Sequence, residues 1–163
     1  MSDSDSSFLP PEVVEAFTTA AITALQELTQ TEAYAQLSPE ATEGAENFVQ
    51  ATLQLKRSVP GKLTLILTED AASRLAARYL PGGTLLTKEM IDDVIGEFAN
   101  VIAGQSKTML KGTPYHFTLS TPVVARVESF ARLPEDAGTL IAALGFDAGQ
   151  LLVILDLSPC PGA

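Results

Sequence analysis

Six residues between positions 93 and 111 share a spacing with chemical consequences. Asp93, Glu97, Asn100, Gly104, Lys107 and Lys111 are separated by four, three, four, three and four residues. On an α-helix those steps form one continuous stripe. The stripe begins acidic, continues with an amide, is bare at the glycine and ends basic. A carboxylate and a carboxamide one turn apart on such a stripe can enter the same cleft. Acids early and lysines late also suit the helix dipole, as on an ordinary solvated helix face. That plainer account leaves the small residues around Glu97 and Asn100 unexplained. Gly96, Ala99, Ala103 and Gly104 lie within "IGEFANVIAGQ". Glycine costs about 1 kcal/mol relative to alanine inside a helix. Small residues let another backbone approach, so a flat face with two projecting polar groups is expected to dock into a partner.

Other chemistry is less well supported. Asp93 and Glu97, with Asp92 beside them, could in principle hold a hard cation such as Mg²⁺ through carboxylates alone. No histidine lies near them in sequence, and a solvated acidic helix start is the simpler reading, so no metal site is expected. His116 is the lone histidine and stands between Tyr115 and Phe117; without a neighbouring acid or nucleophile motif it makes no triad. Ser106 and Ser120 lack the strand–turn–helix setting of a nucleophile elbow. "LPGGT", residues 80–84, follows a helical pattern rather than a strand, so it reads as a turn and not a phosphate loop.

The elements that must position the stripe are legible around it. Thr87 is the expected N-cap of the long helix, with half of a capping box, and "KGTP" ends the helix near Lys111. Val94, Phe98, Val101, Ile102 and Met109, with Ile91 and Ile95 close by, are its expected core side. A first helix is expected in "PEVVEAFTTAAITALQELTQ" and a compact one in "EDAASRLAARYL". A short strand is expected in "TEAYAQL", followed by a loop through "SPEATEGAEN". "FVQATLQLKR" and "GKLTLILTED" alternate as strands around the hairpin signal "SVPG". "YHFTLSTPVV" reads as a strand interrupted at Pro122, and "ARVESFARLP" as irregular or weakly extended. "GTLIAALGFDAGQLLVILDL" reads as two strands around "DAGQ". This order is α+β: a largely antiparallel sheet of about six strands packed with helices in a single domain. The expected boundaries are a disordered lead-in over 1–9, the domain over 10–157 and a tail over 158–163.

The chain has 163 residues, 46% of them apolar, which suffices for one cored domain. Its net charge of −10 disfavours nucleic acid, whose phosphates demand a basic surface. The same charge disfavours an anionic membrane surface, and no apolar run approaches the roughly 20 residues that span a bilayer. Cys160 is the one cysteine, so no internal disulfide is possible. "MSDSDSSFLPPE" lacks the features of an export signal, and the cytoplasm is the expected compartment. A protein or small-molecule partner remains.

"EFANVIAGQSKT" followed by "FTLSTPVV" resembles the CheC/CheX/FliY family of bacterial chemotaxis phosphatases, and more the CheX branch. The family pattern is an acidic or serine residue, Glu-x-x-Asn four positions on, and a proline some twenty residues later. Asp93, Glu97, Asn100 and Pro122 occupy those places. The resemblance runs over about residues 48–157. It implies removal of the phosphoryl group from the aspartyl phosphate of a CheY-type response regulator. Asn100 is then implied to orient the attacking water, and Glu97 to pair with the regulator's active-site lysine. The regulator supplies its own Mg²⁺, and this chain needs no cofactor. Asp93, Gly96, Gly104 and Lys107 are the implied docking residues. The first helix carries no Glu-x-x-Asn, which implies a single site as in CheX rather than the two of CheC and FliY. A homodimer through sheet edges is implied by resemblance alone. The other reading is a non-catalytic CheX-like binding module in a chemosensory or flagellar-switch complex.

Overall fold

Residues 63–67, "LTLIL", are all buried, with the leucines on one face and Thr64 and Ile66 on the other. A strand buried on both faces belongs at the centre of its sheet. The computed structural model, which describes residues 9–36, 47–127, 138–147 and 149–158, places it there. The elements in order are α1 (Pro11–Thr29), β1 (Tyr34–Gln36), β2 (Phe48–Lys56), β3 (Gly61–Thr68), α2 (Glu69–Tyr79), α3 (Lys88–Met109), β4 (Thr118–Leu119), β5 (Val123–Val127), β6 (Thr139–Phe146) and β7 (Gly149–Asp156). The sheet order is β1-β6-β7-β3-β2-β4, with β5 also on β2, and every pairing is antiparallel.

The class is therefore α+β as expected, with seven strands instead of about six. The difference is Pro122, which splits the expected strand "YHFTLSTPVV" into β4 and β5. Leu9 is buried in the core, so the packed domain takes in the last residue of the expected lead-in. The rest of that lead-in, the loop at 38–46, most of "ARVESFARLP" and most of the tail lie outside the described residues.

The three helices cover one face of the sheet. Val49, Ala51, Leu53 and Leu55 of β2 face them at alternate positions, as do Leu63, Leu65 and Leu67 of β3 and Leu151, Val153 and Leu155 of β7. Period-two alternation dictates this arrangement. Phe48, Ile66, Ala143, Leu152 and Ile154 form a smaller buried cluster on the opposite face. In the helix layer α3 packs against both α1 and α2 and lies over the β2–β5 side of the sheet. α1 buries Ala16, Ala20, Ala21 and Ala24, small side chains that permit a close approach. Phe17 of α1 stacks on Phe117 at 5.9 Å between ring centroids.

Candidate functional site

The Thr87 hydroxyl caps α3 by accepting from the Met90 N–H at 3.2 Å. It thereby satisfies one of the donors that a helix start leaves unpaired. Ile91, Val94, Ile95, Phe98 and Ile102 are buried, and so are Gly96, Ala99, Ala103 and Ser106. The core face is thus turned further toward the small residues than the apolar pattern suggests. Val101 is half-buried, and Met109 is 48% exposed. Placing Met109 in the core is corrected: α3 ends there, and the side chain lines an open groove with Glu12, Glu15, Ala16 and Thr19 of α1. Leu110, one residue on, is the one buried.

The stripe faces away from this core. Asp93 and Glu97 are exposed, Asn100, Gly104 and Lys107 are half-buried, and Lys111 is exposed just beyond the helix end. Glu97 and Asn100 are about 4.5 Å apart along the helix axis, so one shallow cleft can receive both.

The small residues divide into two sets. Ala99 and Ala103 are fully buried and belong to the internal packing. Gly96 is buried too, and a Cβ there would lie 3.5 Å from both Pro122 Cγ and Val124 Cγ2. Its open side is filled by this chain's own strand edge. A Cβ on Gly104 would meet nothing within 4 Å. Of the four small residues read as clearing a docking face, Gly104 alone lies open on the stripe.

Two ion pairs from one arginine hold the beginnings of α3 and α2. Arg126 of β5 lies with its Nη2 3.0 Å from Asp92 Oδ1 and its Nε 3.2 Å from Glu69 Oε2. The guanidinium nitrogens have almost no solvent contact and none makes a well-directed hydrogen bond, so the attraction is ionic. Asp92 is thereby turned toward β5, away from Asp93 on the stripe. Sequence reasoning missed Arg126, which carries no motif and lies 34 positions from Asp92. Among the described residues no group of three or more His, Cys, Asp or Glu side chains could hold a metal ion. Ser106 is buried and donates to Ile102 O at 2.8 Å, which is a structural role. His116 is half-buried at the start of the β4 segment.

α3 thus packs along the β2–β5 edge of the sheet and presents a carboxylate and a carboxamide toward solvent. The family description "Chemotaxis phosphatase CheX" matches residues 49–142, more than half of the chain. The chain belongs to the CheX family. No curated protein matches it significantly. Among solved structures, it is similar to the chemotaxis protein CheX of Vibrio vulnificus, with a TM-score of 0.71, 18% identity, and 90% of this chain and 97% of that one covered. It is also similar to CheX of Desulfovibrio desulfuricans, with a TM-score of 0.69, 17% identity, and 90% and 99% covered. A third is the CheX–CheY–BeF3–Mg²⁺ complex from Borrelia burgdorferi, with a TM-score of 0.67, 20% identity, and 90% and 97% covered.

Proposed function

We propose that this chain is a phosphatase acting on the aspartyl phosphate of a CheY-type response regulator. The observation that carries the reading is the placement of Glu97 and Asn100. They stand one turn apart on the solvent stripe of a helix whose opposite face is buried. Membership of the CheX family and the likeness to a CheX bound to CheY support the choice of partner.

Asn100 holds a water in line with the phosphorus. Its carboxamide serves because it both donates and accepts, and it brings no negative charge toward the phosphoryl group. The water oxygen forms a new bond to phosphorus. The bond from phosphorus to the aspartyl oxygen breaks, and its electron pair stays with the regulator's carboxylate. The water's proton leaves with the inorganic phosphate. Glu97 pairs with the regulator's active-site lysine and fixes the docking. Asp93, Gly104 and Lys107 complete the contact surface. The regulator contributes the Mg²⁺ that neutralises developing charge. This chain contributes mainly position, a factor that can be worth several kcal/mol. The reaction belongs in the cytoplasm, where such regulators work. A homodimer, if formed through a sheet edge, has β1 at one edge and β4 with β5 at the other.

The test is phosphate release from phosphorylated CheY-type regulators of the same genome, with wild type and Asn100→Ala side by side. Acceleration by wild type alone supports the phosphatase. Binding without acceleration by either form would instead mark a non-catalytic docking module.

A further inference from the structure

The strand edge under the active stripe contains an irregularity. Leu119 pairs with Leu55 and Val123 pairs with Thr52. Between them, residues 120–122 on one strand oppose only Leu53 and Gln54 on the other. That is one extra residue, a β-bulge. The bulge decides which side chains face α3. Leu119 packs into the main core and Val124 reaches Gly96. They are five positions apart, an odd number that would put them on opposite faces of a regular strand. Absorbing one residue returns both to the helix side. Pro122, Val124 and Arg126 then all point at α3 or its neighbours.

A bulge leaves ladder groups to be satisfied in another way. Here the Gln54 N–H donates to Ser120 Oγ at 2.9 Å, and the Ser120 N–H donates to Gln54 O at 3.2 Å. The serine hydroxyl takes the place of the carbonyl that the ladder lacks at this point. We propose that Ser120 is a positioning residue for Glu97 and Asn100. Its hydroxyl closes the bulge that sets Pro122 and Val124 against Gly96, the residue before Glu97. The effect on catalysis rests on the phosphatase reading above. The effect on placement does not.

The test uses the full chain as wild type, Ser120→Ala, Ser120→Cys and Ser120→Thr. Phosphate release is followed against the concentration of a phosphorylated CheY-type regulator. Melting temperatures and amide NMR signals are recorded for the same proteins. Ser120→Ala is expected to lower kcat about tenfold with KM within about twofold. Exchange at the Gln54 amide should quicken, and the Gly96 and Asn100 signals should shift. Ser120→Thr keeps the hydroxyl and should restore all of these. Ser120→Cys keeps the size but accepts weakly, so it should fall between. If Ser120→Ala fails to fold, the comparison of Cys with Thr decides. Wild-type kcat in the alanine and cysteine variants overturns the proposal. So do Gly96 and Asn100 signals that stay in place. If wild type itself releases no phosphate, the phosphatase reading fails, and the NMR arm still decides whether Ser120 sets the placement of the stripe.

Discussion

Arg126 holds Asp92 at 3.0 Å, while Asp93, the next residue on the helix, is exposed on the stripe. Adjacent carboxylates thus have opposite surroundings: one ties α3 to Arg126 of β5, which also pairs with Glu69 of α2, and the other faces solvent. Replacing Arg126 with Met leaves Asp92 and Glu69 without their shared cation. Both carboxylates keep about a third of their surface in water, so they can rehydrate in part. The expected loss is on the order of 1–3 kcal/mol. Urea titration of wild type and Arg126→Met measures it, and an unchanged midpoint would show that the ion pairs contribute nothing. Asp93→Asn should leave that midpoint in place.

Asn100→Ala separates chemistry from folding. Alanine is the better helix former by about 0.7 kcal/mol, so melting should not fall. If Asn100 orients the attacking water, as proposed, phosphate release should drop several hundredfold. Asn100→Asp keeps the shape and adds a charge that repels the phosphoryl group, so it should be as slow. Glu97→Ala should chiefly raise the regulator concentration needed for half-maximal rate. A wild-type rate in Asn100→Ala would remove the water-orienting role.

The two glycines of α3 should respond differently to an added methyl. At Gly104 the methyl meets nothing within 4 Å. Gly104→Ala should therefore stabilise the fold by about 1 kcal/mol and weaken regulator binding if the partner lies over that part of the stripe. At Gly96 the methyl would make ordinary contact with Pro122 and Val124 at 3.5 Å. Gly96→Ala should gain a similar stability with little change in binding. Thermal melting together with titration calorimetry tests both. Equal effects of the two on binding would contradict the division between an open and an enclosed glycine.

The N-caps of α2 and of the stripe helix α3 are both threonines. Thr68 accepts from the Ala71 N–H at 3.1 Å and Thr87 from the Met90 N–H at 3.2 Å. Thr→Ala at either should cost about 1 kcal/mol, and Thr87→Asp should recover it. Denaturant midpoints for Thr87→Ala and Thr87→Asp provide the check, and equal midpoints would mean that the cap bond is not contributing.

Much of the site was readable because helices and strands announce themselves by period. The alternation from Phe48 to Thr68 identified two strands and the hairpin that joins them. The four-three spacing found the stripe, and Thr87 marked its start. What sequence could not reveal was which neighbours fill the space around the small residues. Gly96 looks open until Pro122 and Val124, some 26 positions later, are seen against it. Ala99 and Ala103 look like a cleared surface until both are seen fully buried in the main core. Arg126 stands in a segment with no recognisable pattern, so its pairing with Asp92 is a tertiary fact. Pro122 was legible as an interruption of its strand, but the bulge there and the hydroxyl that completes it were not.

β3 lies between two strands of very different history. Its β2 partner precedes it across a four-residue connection, whereas Lys62 on its other side pairs with Asp156, 94 positions later. The β2–β3 hairpin and α2 can assemble from local contacts while the chain is still being made. The far edge of β3 must wait for nearly the last residues of the domain. Closing so long a loop is entropically costly and belongs to the slower class of folding events. The stripe helix is therefore synthesised well before the sheet that supports it is complete, and a chain cut short before β7 would present the bare apolar edge of β3 to any neighbouring strand.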